Sequence, residues 1–586
     1  MKRLFLHTCG RKMHSRHPEL GPNSRVFDLD AFDEKQFGTE VPDRSQFETQ
    51  YRDFIASLCQ YTKNRYWWGS GVCEKNTLTS SLYPDMYKLL CVDRFLKRNS
   101  NNVHIICCNP VLACQISDNY GPNYSVQGVW PSRLRLLKRK AVLTLKGILK
   151  QLAMAGLELK YHYYARRSRN ALRIKGLGKG PLTVIRTWVD HRNYKNGGFS
   201  DSYFGRLGKY LASKGRPILV FAGIGSGHKE MFLRLAADRR NRIIPYNSFL
   251  KPFDIFKCLI ISLFGRPGLS MVPSFGPVAV ERLICYELSR DIHHGVFFKA
   301  LVQHFAAFRL AESAMVDNFY ITFENYCWEK LTISGLRRAK SDIRITGWQH
   351  AFISRNSFQY FPGEAERYAQ PLPSSIITLG SRTKSILEER GCYPDSLFTT
   401  GCALRQEYLF NREILPRRTA GIILVPLTIT VEDAVAVINF LMEAGMETWD
   451  EELVLRFHPA TSKKLVLREV GRKLPGNFKI SSNPPLAEEV EACHTVLYTM
   501  TKVCLEALRM GRPVIYLDLN YPMDMDPLFE CRHLKDSCRR PADLAGKLEA
   551  LRTMPDNEFV QERDRAGEYL REYFYPVNEE GLRTFL

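Results

Sequence analysis

Short apolar, β-rich runs alternate with longer stretches of helical periodicity over most of this chain's length, and that alternation constrains the fold more than any other feature. The first runs are TVIRTW from Thr183, ILVFAG from Ile218 and IRITGW from Ile343. A second series comprises IITLG from Ile376, GIILVPL from Gly421, LVLRFHP from Leu453, TVLYT from Thr495 and PVIYLD from Pro513. Intervening segments such as 431–444 and 501–510 read as helices. Strand–helix alternation predicts α/β architecture, with parallel sheets covered by helices on both faces. VHIICC, from Val103, predicts an early strand of the first sheet. The Pro-rich joint QPLPSS, 370–375, separates the two series and predicts the boundary between two sheets.

Composition agrees with a globular protein: 45% of the 586 residues are hydrophobic and 25% charged. No run approaches the roughly 18 apolar residues of a spanning helix, and CLIISLF from Cys258 is far too short. The basic N-terminus lacks a long apolar stretch, so a secretory signal is not expected. Sixteen scattered cysteines with no CxxC argue for a reducing, cytoplasmic compartment.

The formal net charge of +22 favours polyanionic partners: nucleic acid, anionic lipid, or nucleotide and phosphate substrates. Between Trp130 and Pro181 fourteen Lys/Arg face a single acid, Glu158. Within it a helix is predicted, with Leu143, Leu145, Leu149, Leu152 and Leu157 set among cations, followed by Tyr161, Tyr163 and Tyr164. Residues 131–180 therefore read as a basic amphipathic insertion lying on an anionic membrane surface, or as a solvated arm. No motif that reads RNA or DNA accompanies the charge, so nucleic acid is not the expected partner.

In open α/β sheets ligands collect at the carboxyl ends of strands, beside helix starts that favour phosphate. Strand LVLRF ends in His458-Pro459, which leaves an imidazole at the rim. Thr499 and Thr501 follow the strand from Thr495 and offer hydroxyls to a phosphate, and Glu506 in the next helix suits a ribose diol. Arg382, Arg405 and Lys502 add cations near this cleft.

The run HTVLYTMTKVCLEALRMGRPVIYLD resembles the donor-nucleotide segment of GT-B glycosyltransferases. RFHPA is similar to the His-Pro motif of bacterial sialyltransferases and Kdo transferases, which use CMP-activated sugars. The resemblance implies phosphate contacts for His458, Pro459, Thr499 and Thr501, with threonine standing where serine is frequent. Glu506 and Arg405 are assigned to the same donor site. More widely, RYWWGSGVCEKN, FENYCWEK from Phe323, GWQHAF from Gly347 and DPLFE around Asp526 resemble bacterial surface-polysaccharide biosynthesis proteins.

Sugar transfer with inversion then needs a base for the acceptor hydroxyl. Glu324 sits among aromatics whose burial would raise its pKa, and His350 follows a strand. Asp190 follows TVIRTW, with pairing to Arg186 or Arg192 as its other reading. Asp201 lies in the Gly-rich loop NGGFSDSYFG and could equally cap a helix. Arg186, Gln349 and Tyr203 are assigned to the acceptor. The loop GIGSGHKE from Gly223 matches neither phosphate-loop pattern and would flank the cleft.

The expected organisation is GT-B-like. Residues 1–130 begin an acceptor domain, 131–180 form the basic insertion, and 181–369 complete that domain. Residues 370–556 bind the donor, and 557–586 pack back on the first domain. The expected activity moves a sugar from a nucleotide donor, of which a CMP-linked one is favoured, to a lipid-linked glycan at the inner face of the bacterial membrane. No cofactor and no metal are expected, since the nucleotide sugar is itself the substrate. A UDP-sugar transferase or CDP-polyol phosphotransferase of the same fold, a basic nucleic-acid binder, and a non-catalytic assembly protein remain alternatives.

Overall fold

The computed structural model describes residues 3–7, 25–29, 41–98, 103–121, 124–127, 129–166, 174, 177, 180–195, 198–225, 228–238, 241–519 and 522–586. Four parallel strands, β1 (Arg3–His7), β2 (Arg25–Asp28), β3 (Val103–Ile106) and β4 (Ser125–Gln127), form a small sheet in the order β2-β3-β1-β4. The VHIICC strand thus belongs to a separate sheet and not to the first large one, because its edges are taken by β1 and β2.

The first large sheet begins with β5 (Leu182–Val189), which leads into the hairpin of β6 (Tyr194–Lys195) and β7 (Gly198–Phe199). It continues with β8 (Ile218–Ile224), β9 (Ile243–Pro245), β10 (Val316–Thr322), β11 (Arg344–Trp348), β12 (Ser375–Thr378) and β13 (Phe398–Thr400). Its order is β13-β12-β11-β10-β5-β8-β9, parallel throughout. Nearly every residue of β5 is buried, Arg186 included, which is why its sequence shows no apolar–polar alternation. The Pro-rich joint lies inside this sheet, between β11 and β12. IITLG therefore belongs to the first series, and the change of sheet falls after β13, across the turn Leu404–Asn411.

The second sheet contains β14 (Ile422–Pro426), β15 (Glu452–Arg456), β16 (Phe478–Ile480), β17 (Cys493–Tyr498), β18 (Val514–Leu517) and β19 (Lys535–Cys538). They run parallel in the order β16-β15-β14-β17-β18-β19. Two Rossmann-like sheets thus face a cleft, the GT-B-like architecture that the resemblance implies.

Residues 131–165 of the basic insertion lie in a single helix, Val129–Ala165, built into the fold. Leu136, Gln151, Ala155, His162 and Ala165 are buried. Leu145, Leu149 and Leu152 are exposed, whereas Tyr161 and Tyr164 turn inward onto Phe232. The insertion's residues 167–173, 175–176 and 178–179 lie outside the described residues. No described helix is long and apolar enough to cross a membrane.

After the second sheet the chain returns to the first. Helix Asp556–Tyr573 passes over the start of helix Ser381–Arg390, where a Cβ on Gly380 would overlap the carbonyl oxygens of Glu572 and Tyr573. Beyond it, Arg206 donates to the Val577 carbonyl and Tyr210 to Glu579 (3.0 Å). Tyr320 donates to the Phe585 carbonyl, so the last residues are laced to the first sheet.

Candidate functional site

A cavity of about 710 Å³ opens between the two large sheets and is lined from both. In the second sheet Pro426 of β14 lies in register with Arg456 of β15. Thr428 and His458, each two residues further on, therefore emerge side by side, and Thr461 ties the two loops through the Ile429 carbonyl (2.8 Å). His458 is exposed, and its Nδ1 accepts the Ala460 N–H at 3.1 Å. That bond leaves the proton on Nε2, a donor suited to a phosphate oxygen. Partial burial, and then Arg192 nearby, hold the imidazole below its usual pKa. Pro459 also lines the cavity.

The expected pair of hydroxyls divides. Thr501 lines the cavity while accepting the Val503 N–H at 3.3 Å. Thr499 is 3% exposed, does not line the cavity, and its hydroxyl has no hydrogen-bond partner among the described residues. β17 is buried on both faces up to that point, so the side chain of Thr499 faces protein. Glu506 is buried at the cavity wall, paired with Lys502 at 2.9 Å and hydrogen-bonded by the Tyr408 hydroxyl. Tyr408 comes from the turn that joins the two sheets.

The register of the first sheet brings two candidate bases together. Thr322 of β10 pairs with Trp348 of β11, so Glu324 and His350 both stand two residues beyond the strands. Glu324 Oε1 lies 3.3 Å from His350 Nε2, with the carboxylate side chain 21% exposed and the imidazole buried. Three further groups hold the Glu324 loop. Glu329 accepts the N–H of Glu324 (2.9 Å) and of Tyr326 (3.0 Å), and Tyr326 hydrogen-bonds the Glu324 carboxyl. Asn325 between them adopts φ 61°, a left-handed conformation uncommon outside glycine, and its amide donates to the Gln359 carbonyl at 2.8 Å.

Burial raises Glu324 to about 7, against smaller lowering effects of Tyr326 and Arg405. Burial, followed by the Arg405 charge, depresses His350 to about 3. The imidazole is thus neutral at physiological pH, with its Nε2 facing the Glu324 carboxyl across 3.3 Å. Arg405 stacks on Tyr203 at 4.8 Å, and the Tyr203 ring lies 5.3 Å from that of His350. Because Arg405 also lines the cavity, it connects the Glu324–His350 pair to the wall formed by the second sheet.

The other sequence-derived candidates serve the scaffold. Asp190 forms an ion pair with Arg192 at 2.6 Å and caps the turn His191–Asn193, and Arg192's hydrogen bonds hold its carboxyl below the usual range. Asp201 Oδ1 accepts from Thr187 Oγ1 (3.0 Å) and from the N–H groups of Tyr203 (2.8 Å) and Phe204 (3.0 Å). It therefore organises a turn beside the site, while burial raises its pKa.

Arg186 is completely buried between Trp188 (4.4 Å) and Trp328 (5.0 Å) and donates to the Thr187 carbonyl (2.7 Å), so it cannot meet an acceptor. Gln349 is equally buried. Its amide donates to the Ala351 carbonyl and accepts the Leu379 N–H (3.2 Å), which joins β11 to the segment after β12. Arg382 pairs with Glu530 (2.6 Å) away from the cavity. The GIGSGHKE and NGGFSDSYFG loops lie partly outside the described residues, at 226–227 and 196–197.

Sequence reading missed Tyr408, Tyr326, Glu329 and the placement of Arg192 at the cavity. Among the described residues no group of three or more His, Cys, Asp or Glu side chains converges as a metal site would require.

No family model and no curated protein matches the sequence. Among solved structures, the calicheamicin glycosyltransferase CalG4 is similar at 13% identity over 67% of this chain and 94% of that chain, with a TM-score of 0.39. The glycosyltransferase SnogD from Streptomyces nogalater is similar at 14% identity over 70% and 99%, TM-score 0.38. The UDP-GlcNAc 2-epimerase of Methanocaldococcus jannaschii is similar at 12% identity over 67% and 99%, TM-score 0.36. At TM-scores this low the likeness adds nothing to what the chain's own sheets and side chains say.

Proposed function

We propose that the protein is a GT-B glycosyltransferase that moves a sugar from a CMP-linked donor to a lipid-linked surface glycan, with inversion and without a metal. One observation carries the reading. Arg192, Arg405, Arg412, Arg456 and Lys502 line the cavity, and four of them pair with Asp190, Glu491, Glu489 and Glu506. Arg405 alone of the five has no carboxylate within ion-pair distance among the described residues, and its charge reaches both Glu324 and His350. An unneutralised guanidinium between a carboxyl that titrates near neutrality and a donor wall is what transfer from a phosphate leaving group requires.

In this reading the donor phosphate meets Arg405 and the Nε2–H of His458, with the Thr501 hydroxyl beside it. Glu506 takes the ribose diol in exchange for Tyr408. The acceptor hydroxyl attacks the anomeric carbon and gives its proton to the Glu324 carboxylate as the new C–O bond forms. The bond from the anomeric carbon to the phosphate oxygen breaks, and its electron pair leaves with the nucleotide. Neutral His350 holds the carboxylate in line, and Tyr203 flanks the acceptor. Residues 131–180 hold the enzyme at an anionic membrane surface; the leucines exposed along that helix support this part of the reading.

A thermal-shift panel with CMP, CDP, UDP and GDP tests the donor. At a hundred times its dissociation constant a ligand stabilises the native state by about 2.7 kcal/mol. CMP is expected to raise the melting temperature, and Arg405→Ala to abolish that rise. A response to UDP or CDP alone would replace the donor class, and silence from every nucleotide would overturn the reading.

A further inference from the structure

The helix Pro252–Phe264 (PFDIFKCLIISLF) is apolar on nearly all sides, yet only part of it is covered. Ile255, Cys258 and Ser262 are buried against the body of the first domain. On the opposite side Phe253 (68% exposed), Phe256 (57%), Ile260 (41%) and Phe264 (81%) stand in solvent. Their spacing of three, four and four residues puts them in one stripe about 17 Å long. Four large apolar side chains in a row on one exposed face mark a contact surface and not scattered exposure.

We propose that this face inserts into the interfacial layer of a membrane containing anionic phospholipid. Charge selects that occupant. Asp254 of the helix and Glu312 share Arg309, at 2.7 and 2.8 Å, which offsets one of their two charges. Lys251 precedes the helix, Lys257 lies within it with its ammonium 5.4 Å over Phe305, and Arg266 follows it. Arg166 meets Lys251 around a shared surface hollow.

The basic helix packs beside this one. Gln151 and Ser262 hydrogen-bond across the two helices at 2.5 Å, and Leu145, Leu149 and Leu152 are exposed on the neighbouring one. A second copy docked face to face would bring these cations together in a chain of net charge +22. An anionic bilayer supplies the missing counter-charge and takes the phenyl rings below the headgroups, while lysine and arginine stems reach back to the phosphates. None of the stripe residues lines the interdomain cavity, so the inference stands apart from the sugar-transfer reading.

Flotation of the full chain with vesicles of phosphatidylcholine, with and without phosphatidylglycerol, is the test. The wild-type chain is expected to float with the anionic vesicles only and to be released by salt. The triple variant Phe253→Ser, Phe256→Ser, Phe264→Ser is expected to lose roughly a hundredfold or more in partitioning, with its nucleotide-induced thermal shift unchanged. Should that variant not fold, Phe256→Trp is read instead, and the emission of its indole is expected to shift to the blue and be quenched by brominated lipid. The proposal is overturned by wild-type partitioning in the triple variant, by an unshifted emission in the Phe256→Trp chain, or by equal binding to phosphatidylcholine alone. It is equally overturned if the wild type sediments as a dimer that the triple variant does not form.

Discussion

Glu324 carries the most exacting expectation at the scale of single residues. Its carboxyl, raised to about 7 by burial, binds a proton in the folded state between pH 4.5 and 7, where an unfolded glutamate has already lost it. Stability contributed by this group is therefore full below about pH 4.5 and falls as pH rises through 7. At pH 8 the buried charge costs on the order of 3 kcal/mol, and Glu324→Gln is expected to recover part of that in denaturant titrations. The same substitution should lower turnover by about 10² to 10⁴ while the nucleotide-induced thermal shift persists. In the wild type kcat/KM should climb with pH through a midpoint near 7, and the residual activity of the variant should lack that step. A variant that keeps both its turnover and the pH step would exclude Glu324 as the base.

At the scale of elements, a close backbone crossing predicts its own cost. Gly380 is extended and unstrained, with φ −170°, but a methyl group there meets two carbonyl oxygens of the C-terminal helix. Gly380→Ala should destabilise the fold by about 1–3 kcal/mol in urea titration, because backbone must move to admit it. Strands buried on both faces, such as β5, β14 and β17, were legible as short runs rich in apolar and β-branched residues. The central strand β10 was not, because Asp317 and Asn318 interrupt it, and neither were the short polar strands β16 and β19. Prolines at 371 and 373 looked like a domain joint, although in the fold they only turn the chain between neighbouring strands. The candidate site was legible in its residue types and opaque in its distances. Glu324 and His350 are 26 positions apart, and only the β10–β11 register, which no single sequence displays, makes them neighbours. Arg186 and Gln349 misled for the converse reason, since a polar side chain at a strand end looks the same whether it faces a cleft or closes the core.

For the whole molecule, one apolar core runs through all three sheets. Leu4 and Val103 of the small sheet, Ile185 and Ile345 of the first large sheet, and Leu424 and Val496 of the second belong to a single buried cluster. The chain's end reinforces it. Helix Asp556–Tyr573 touches helix Val503–Arg509 of the second sheet and helix Ser381–Arg390 of the first, and the Tyr573 hydroxyl accepts the Ile353 N–H at 3.1 Å. Beyond it, Lys214 pairs with Glu579 at 3.1 Å and Arg216 donates to the Leu586 carbonyl at 2.6 Å. Donor binding to the second sheet should therefore stabilise the entire molecule. Calorimetry should show one transition, with equal calorimetric and van't Hoff enthalpies, and nucleotide should move it as a unit. Removing residues 557–586 unties the two large sheets from this shared helix and uncovers Phe559, Leu570 and Phe585 contacts in the common core. The truncated chain should melt in two steps, of which only the one belonging to the second sheet responds to nucleotide. A single nucleotide-responsive transition in the truncated chain would mean that the sheets are coupled through their direct contact alone, and that the returning helix has no part in linking the two large sheets.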